Sequence, residues 1–171
     1  MENIPQLCTM TAKNAQNWIQ KLALLPHPEG GYYREQFRSN LQIQREGSLG
    51  FRSACTSIYY LLEGDDFSAF HRLKSDEIWY FHTGSPLHIS VLDLEGNLSV
   101  KVLSDAENGE LSVVIPAEHW FASEVANQDG YALVSCAVAP GFEFSEFEMA
   151  DAEKLSTVYP EHRETIRRLC R

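Results

Sequence analysis

Hydrophobic and polar positions alternate in short runs along most of this chain. The stretch near the start is different. Ala15, Trp18, Ile19 and Leu22 recur at the i, i+3, i+4, i+7 spacing of one helical face, which predicts a helix over about 11–25. Thr11 can cap it, and Pro26 and Pro28 end it. From Tyr32 onward the period falls to two. Ten short runs rich in aromatic and β-branched residues predict strands at 32–38, 53–62, 68–73, 77–82, 87–94, 98–103, 111–115, 120–125, 131–138 and 144–148. Glycine and polar turns separate them, and residues 87–103 read as a hairpin around Gly96-Asn97. Helix returns at about 151–157 and 160–170, with Asp151 and Pro160 as start signals. Arg167, Arg168 and Arg171 suit the negative end of that last helix. This many short strands predict an all-β sandwich or barrel.

Length and charge narrow the picture. The 171 residues suit one domain, and the 44% of hydrophobic residues can fill a core. A net charge of -10 repels phosphate backbones and anionic headgroups, so neither a nucleic acid polymer nor a membrane surface is an expected partner. Cys8, Cys55, Cys136 and Cys170 are widely spaced, without a C-x-x-C pair, which predicts reduced thiols. The stretch 1–11 lacks a basic start and an apolar run, and no segment has the length of a membrane span. These features predict a cytoplasmic protein.

One stretch stands out chemically. Gly64, His71, Glu77 and Gly84 are spaced as in the first motif of the cupins, which this segment resembles. A second histidine normally stands two residues after the first, and here that position is Leu73. The resemblance runs roughly from residue 27 to 147. It is carried also by His27-Pro28-Glu29-Gly30-Gly31-Tyr32-Tyr33-Arg34-Glu35, Ser57-Ile58-Tyr59-Tyr60-Leu61-Leu62, Ile115-Pro116-Ala117 with Trp120, and Val138-Ala139-Pro140-Gly141-Phe142-Glu143-Phe144. These runs resemble a cupin subfamily described as predicted sugar epimerases or uncharacterised cupin-like proteins. The resemblance implies a double-stranded β-helix, a jelly-roll barrel over about 30–148, in one domain with its flanking helices. It also implies a homodimer paired through an edge strand. Metal-binding cupins carry a later P-x-G-x-x-H motif. Here Pro116-Ala117-Glu118-His119-Trp120-Phe121 places Glu118 at the glycine and Phe121 at the histidine, and His119 falls two residues short. With two of four ligand positions apolar, no cofactor is expected beyond a weakly held divalent ion on His71 and Glu77.

Strand alternation puts His71 and Leu73 on one face and Glu77, Trp79 and Phe81 on another shared face. In a cupin the His71 face points into the barrel. A glutamate beside Trp79, Phe81 and Phe121 is desolvated, which raises its pKa, and a charged His71 nearby lowers it again. The two residues therefore read as a general acid/base pair, or as a hydrogen-bonded pair within a polar interior. Glu29, Arg34 and Lys74 are candidates for gripping a polar substrate, Arg34 and Lys74 by charge. Tyr59, Trp79, Trp120, Phe121 and Phe142 are candidates for its aromatic walls, against the alternative that they fill the core. Tyr59 and Tyr60 are adjacent, so one faces in and the other out. His27, His82 and His88 read as structural or exposed. The leading expectation is an epimerase or isomerase acting on a small carbohydrate-like substrate, with His71 as base and Glu77 as orienting group or acid. A non-catalytic cupin binding a sugar or nucleotide is the alternative, and a metal-dependent oxygenase the third.

Overall fold

The computed structural model describes residues 14–45 and 50–171. Helix α1 (Ala15–Leu22) is capped by the Asn14 side chain, which accepts from the Asn17 N–H, while the expected cap Thr11 lies outside the described residues. The chain then runs through β1 (Leu25–Pro26), β2 (Tyr32–Arg38), β3 (Gln42–Gln44), β4 (Phe51–Ser53), β5 (Thr56–Glu63), β6 (Phe67–Leu73), β7 (Asp76–Gly84), β8 (Leu87–Leu92), β9 (Leu98–Leu103), β10 (Ser112–Ile115), β11 (Trp120–Val125), β12 (Tyr131–Ala139) and β13 (Phe147–Met149). Two helices follow, α2 (Ala152–Val158) and α3 (Arg163–Arg168).

Eleven of the strands form two antiparallel sheets, ordered β1-β2-β5-β12-β7-β10 and β13-β6-β11-β8-β9, and β3 and β4 pair apart from them. This is the expected jelly roll. Tyr60, Trp79, Ile89, Phe121 and Val134 fill the space between the sheets. On the outer side of the first sheet, Leu61 and Leu133 are buried with Trp18, Ile19 and Leu22 of α1 packed against their cluster. Burying each such leucine contributes roughly 1.5–3 kcal/mol. On the outside of the second sheet, Phe70, Leu92 and Ala122 pack against Leu155, Ile166 and Leu169 of the C-terminal segment. The helices therefore pad the barrel's flanks and leave one end open.

Three local features differ from the sequence pattern. The small hairpin of β3 and β4 lies where only a loop is expected, and Arg52 ties it to Glu146 at 2.9 Å. The run 144–148 opens as a 3-10 turn at Phe144–Glu146 before β13 begins. Glu118, standing where the metal-binding motif has glycine, adopts the left-handed backbone that glycine would (φ 66°), and its N–H donates to the Leu73 carbonyl.

Candidate active site

The site begins with a turn between β1 and β2. Gly30 (φ 114°) and Gly31 (φ 69°) take up backbone that L side chains rarely adopt. The Gly31 N–H donates to Asp66 Oδ2 at 2.7 Å, and Arg171 bonds Asp66 as well. This geometry turns the Glu29 side chain inward. Its carbonyl is held outward by the Ala69 N–H at 2.9 Å and by Arg171 Nε at 3.3 Å. Ala69 then acts a second time: its own carbonyl lies 2.7 Å from His71 Nδ1. That contact fixes the proton on Nδ1, so Nε2 is the free nitrogen, and it lies 3.2 Å from Glu29 Oε2. A carboxylate oxygen and an imidazole lone pair at that distance require one proton between them. The two residues form a dyad positioned from both sides by a single backbone unit.

Both partners are buried, Glu29 6% and His71 2% exposed. Burial pushes the Glu29 carboxyl up, with His27 pulling it partly back and the Ser68 and Tyr60 hydroxyls nearby doing the same, although the Tyr60 proton goes to the Gly30 carbonyl. Burial lowers His71 to about 4, against the opposing pull of the Ala69 carbonyl. Both shifts favour the neutral pair, O–H···N. His27 stands on the other side of Glu29, with Nδ1 3.8 Å from Oε2. Glu77 comes from β7 into the same cavity. Burial drives it up to about 8, and the neighbouring Glu29 carboxyl, whenever ionised, adds to that, while Trp79 and Cys136 pull the other way. Neither of these two pairs with its Oε2, which has no hydrogen-bond partner in its buried place.

The cavity above these groups measures about 160 Å³. Its walls include Ile58, Leu73, Val138 and Phe147, with Tyr33 and Thr56 between them. Phe142 and Phe144 line its mouth, where Arg38 crosses from β2 to Glu143 at 2.9 Å and also grips Glu35 at 2.8 Å.

The family model described as cupin superfamily (DUF985) matches residues 16–150. The chain belongs to the cupin superfamily. It is 31% identical to an uncharacterized protein of Saccharomyces cerevisiae, over 81% of this chain and 76% of that protein. A solved hypothetical protein from Leishmania major shares 35% identity at a TM-score of 0.86, covering 92% of this chain and 99% of its own. A protein from Shewanella oneidensis shares 38% at 0.85, covering 93% and 98%. Oxalate decarboxylase of Bacillus subtilis shares the fold alone, at 18% identity, TM-score 0.53, and 84% of this chain against 36% of that one.

Within this cupin the metal-binding pattern has been replaced by apolar packing. Phe121, at the expected histidine position, sits opposite His71 in the β6–β11 ladder, their ring centroids 4.1 Å apart. Leu73 is cavity wall. Among the described residues, no group of three or more His, Cys, Asp or Glu side chains is disposed to hold a metal ion. The donor set does not fit a transition-metal centre, and His71 and Glu77 supply only two of the ligands one needs.

His71, Glu77, Glu29 and Phe142 meet at the cavity, as the sequence pattern has it, but the partner of His71 is Glu29 and not Glu77. Several other candidates lie elsewhere. Arg34 is on the exposed part of β2, and Lys74 lines a separate surface groove with Arg72 and Glu118. Tyr59 faces out, toward α1 and His82, while Tyr60 faces in. Trp79 and Phe121 are core, and Trp120 lies on the outer side under the Arg72 guanidinium. His27, read as structural or exposed, lines the cavity beside Glu29. Arg38 carries no motif that would mark it, since only the register of β2 against β5 brings it to the mouth, and Glu35 and Glu143 lie in resembling runs that do not mark them as its partners.

Proposed function

We propose that this cupin is an isomerase or epimerase that moves a proton on a carbon next to a carbonyl group of a small molecule. The observation that supports this reading is the dyad of Glu29 and His71 facing a buried acid, Glu77, whose Oε2 has no hydrogen-bond partner, across one cavity. The dyad takes the proton from carbon and becomes carboxylic acid and imidazolium. Glu77, neutral below about 8, gives its proton to the carbonyl oxygen and becomes a carboxylate. The substrate passes to an enol, and no net charge enters the cavity. A neutral carboxylic acid in an apolar site is well suited to meet a developing oxyanion. Tyr33 is the cavity tyrosine that can return a proton from another face. Lys74 and Arg34 have no part in this chemistry.

The reading is tested by incubating the enzyme in deuterium oxide with small cyclic and acyclic ketones and following C–H exchange by proton NMR. Exchange that is lost in Glu29→Gln supports it. A purified protein that exchanges none of them, and in which Glu29→Gln changes nothing, contradicts it.

The homodimer belongs to this proposal too. β1 pairs only with Tyr32 and Tyr33 of β2, leaving the rest of that strand an open edge beside exposed Phe37. Light scattering at micromolar concentration gives twice the chain mass if a second copy covers it; a monomer mass contradicts it.

A further inference from the structure

We infer that the cavity takes a compact, uncharged, mostly hydrocarbon molecule with one carbonyl or enolic oxygen, and rejects phosphorylated and carboxylated compounds. This rests on the reaction proposed above and names its substrate class. Arg38 is the sole lysine or arginine among the described lining residues, and each nitrogen of its guanidinium is engaged. Nε donates to Glu35 at 3.1 Å, Nη1 to Glu143 at 2.9 Å, and Nη2 to Glu35 at 2.8 Å. Both Nη atoms also reach the Phe142 carbonyl. An incoming anion would therefore have to break that arrangement, and it would then meet four carboxyl groups, Glu29, Glu35, Glu77 and Glu143. Burial of an unpaired charge in such a place is strongly unfavourable.

Size and surface agree. About 160 Å³ is well below the roughly 300–1,000 Å³ of pockets that hold drug-sized ligands, so a nucleotide-sugar does not fit within it. Ile58, Leu73, Val138 and Phe147 offer carbon to the ligand's body, whereas a polyol would leave several hydroxyls facing them. At the floor, Glu77 Oε2 lacks a partner. One ligand oxygen placed there would satisfy it. The molecule thus recognised has one polar end and an apolar ring or short branched body.

The test uses 4-nitrophenol, a flat neutral ring with one ionisable oxygen whose absorption reports its proton. At pH 6 the free phenol is largely neutral. Wild-type protein is expected to gain thermal stability with 4-nitrophenol and with cyclohexenone, and none with glucose 6-phosphate or inorganic phosphate at the same concentration. Ile58→Phe, which fills the wall, is expected to weaken 4-nitrophenol binding roughly tenfold or more. Stabilisation by glucose 6-phosphate or phosphate with none by the neutral rings overturns the inference. So does unchanged 4-nitrophenol binding in an Ile58→Phe protein that melts like wild type, because the ring then binds elsewhere. The C–H exchange separates this inference from the reaction itself. Stabilisation by both neutral rings in a protein that exchanges no C–H supports the ligand class and removes the reaction. A bound probe that absorbs as phenolate at pH 6 overturns the inference, because the cavity then holds an anion.

Discussion

Among single residues, Glu29 carries the most weight. His71 and Glu77 are legible in the sequence because their spacing is that of a known strand-turn-strand motif. Glu29 as the partner of His71 is not, because the two lie 3.2 Å apart only after a turn far away in sequence closes onto β6. Glu29→Gln keeps the shape and removes the acid. It is expected to lower turnover by about 10²–10⁴, the usual contribution of a positioned acid/base, as measured by steady-state exchange kinetics. The pH profile follows from the two shifted groups. Activity requires His71 uncharged, which holds above about 4, and Glu77 protonated, which holds below about 8. The rate should therefore describe a bell with limbs near those values, and Glu77→Gln should abolish the alkaline limb. A flat profile between pH 7 and 9 in wild type would contradict the role of Glu77.

Elements place these residues, and glycine is what makes the placing turn possible. A Cβ on Gly31 would lie 2.6 Å from the Leu61 carbonyl and 2.7 Å from Leu62 Cδ2, in backbone at φ 69°. Gly31→Ala is expected to cost about 2 kcal/mol or more in urea unfolding and to reduce activity in the protein that remains folded. Alternation is readable in a strand such as β7, which buries one face, whereas β6 and β12 are covered on both faces, and β12 reads as a nearly continuous apolar run. Alternation does not reveal pairing partners: Tyr60 faces in and Tyr59 out because β5 presents Leu61 and Tyr59 to the α1 side. The β3–β4 hairpin was not legible either. Its polar ladder, Gln42 to Ser53, is held by Arg52 and Glu146 instead of an apolar stripe.

For the whole molecule, the buried acids link stability to pH. Glu77 has its folded value raised to about 8 from an ordinary 4.5, so its contribution is fully present below about 4.5 and lost as pH rises through about 8. The loss is roughly 1.4 kcal/mol per pH unit across that window, an upper figure for one site. His71 acts oppositely: its stabilisation is present above 6.5 and lost as pH falls through about 4. Urea midpoints measured from pH 5 to 9 should fall for wild type and fall less steeply for Glu77→Gln. Among the described residues no helix is long and apolar enough to cross a membrane.

A carbon-13 NMR titration of glutamate-labelled protein, with Glu77→Gln and Glu29→Gln for assignment, tests the central claim most directly. The account predicts that Glu77 is still a carboxylic acid at pH 7 and titrates near about 8. It predicts also that the Glu29 signal follows the protonation of His71, as expected of groups sharing one proton. A Glu77 carboxyl already ionised at pH 6, or a Glu29 that titrates without regard to His71, would contradict it.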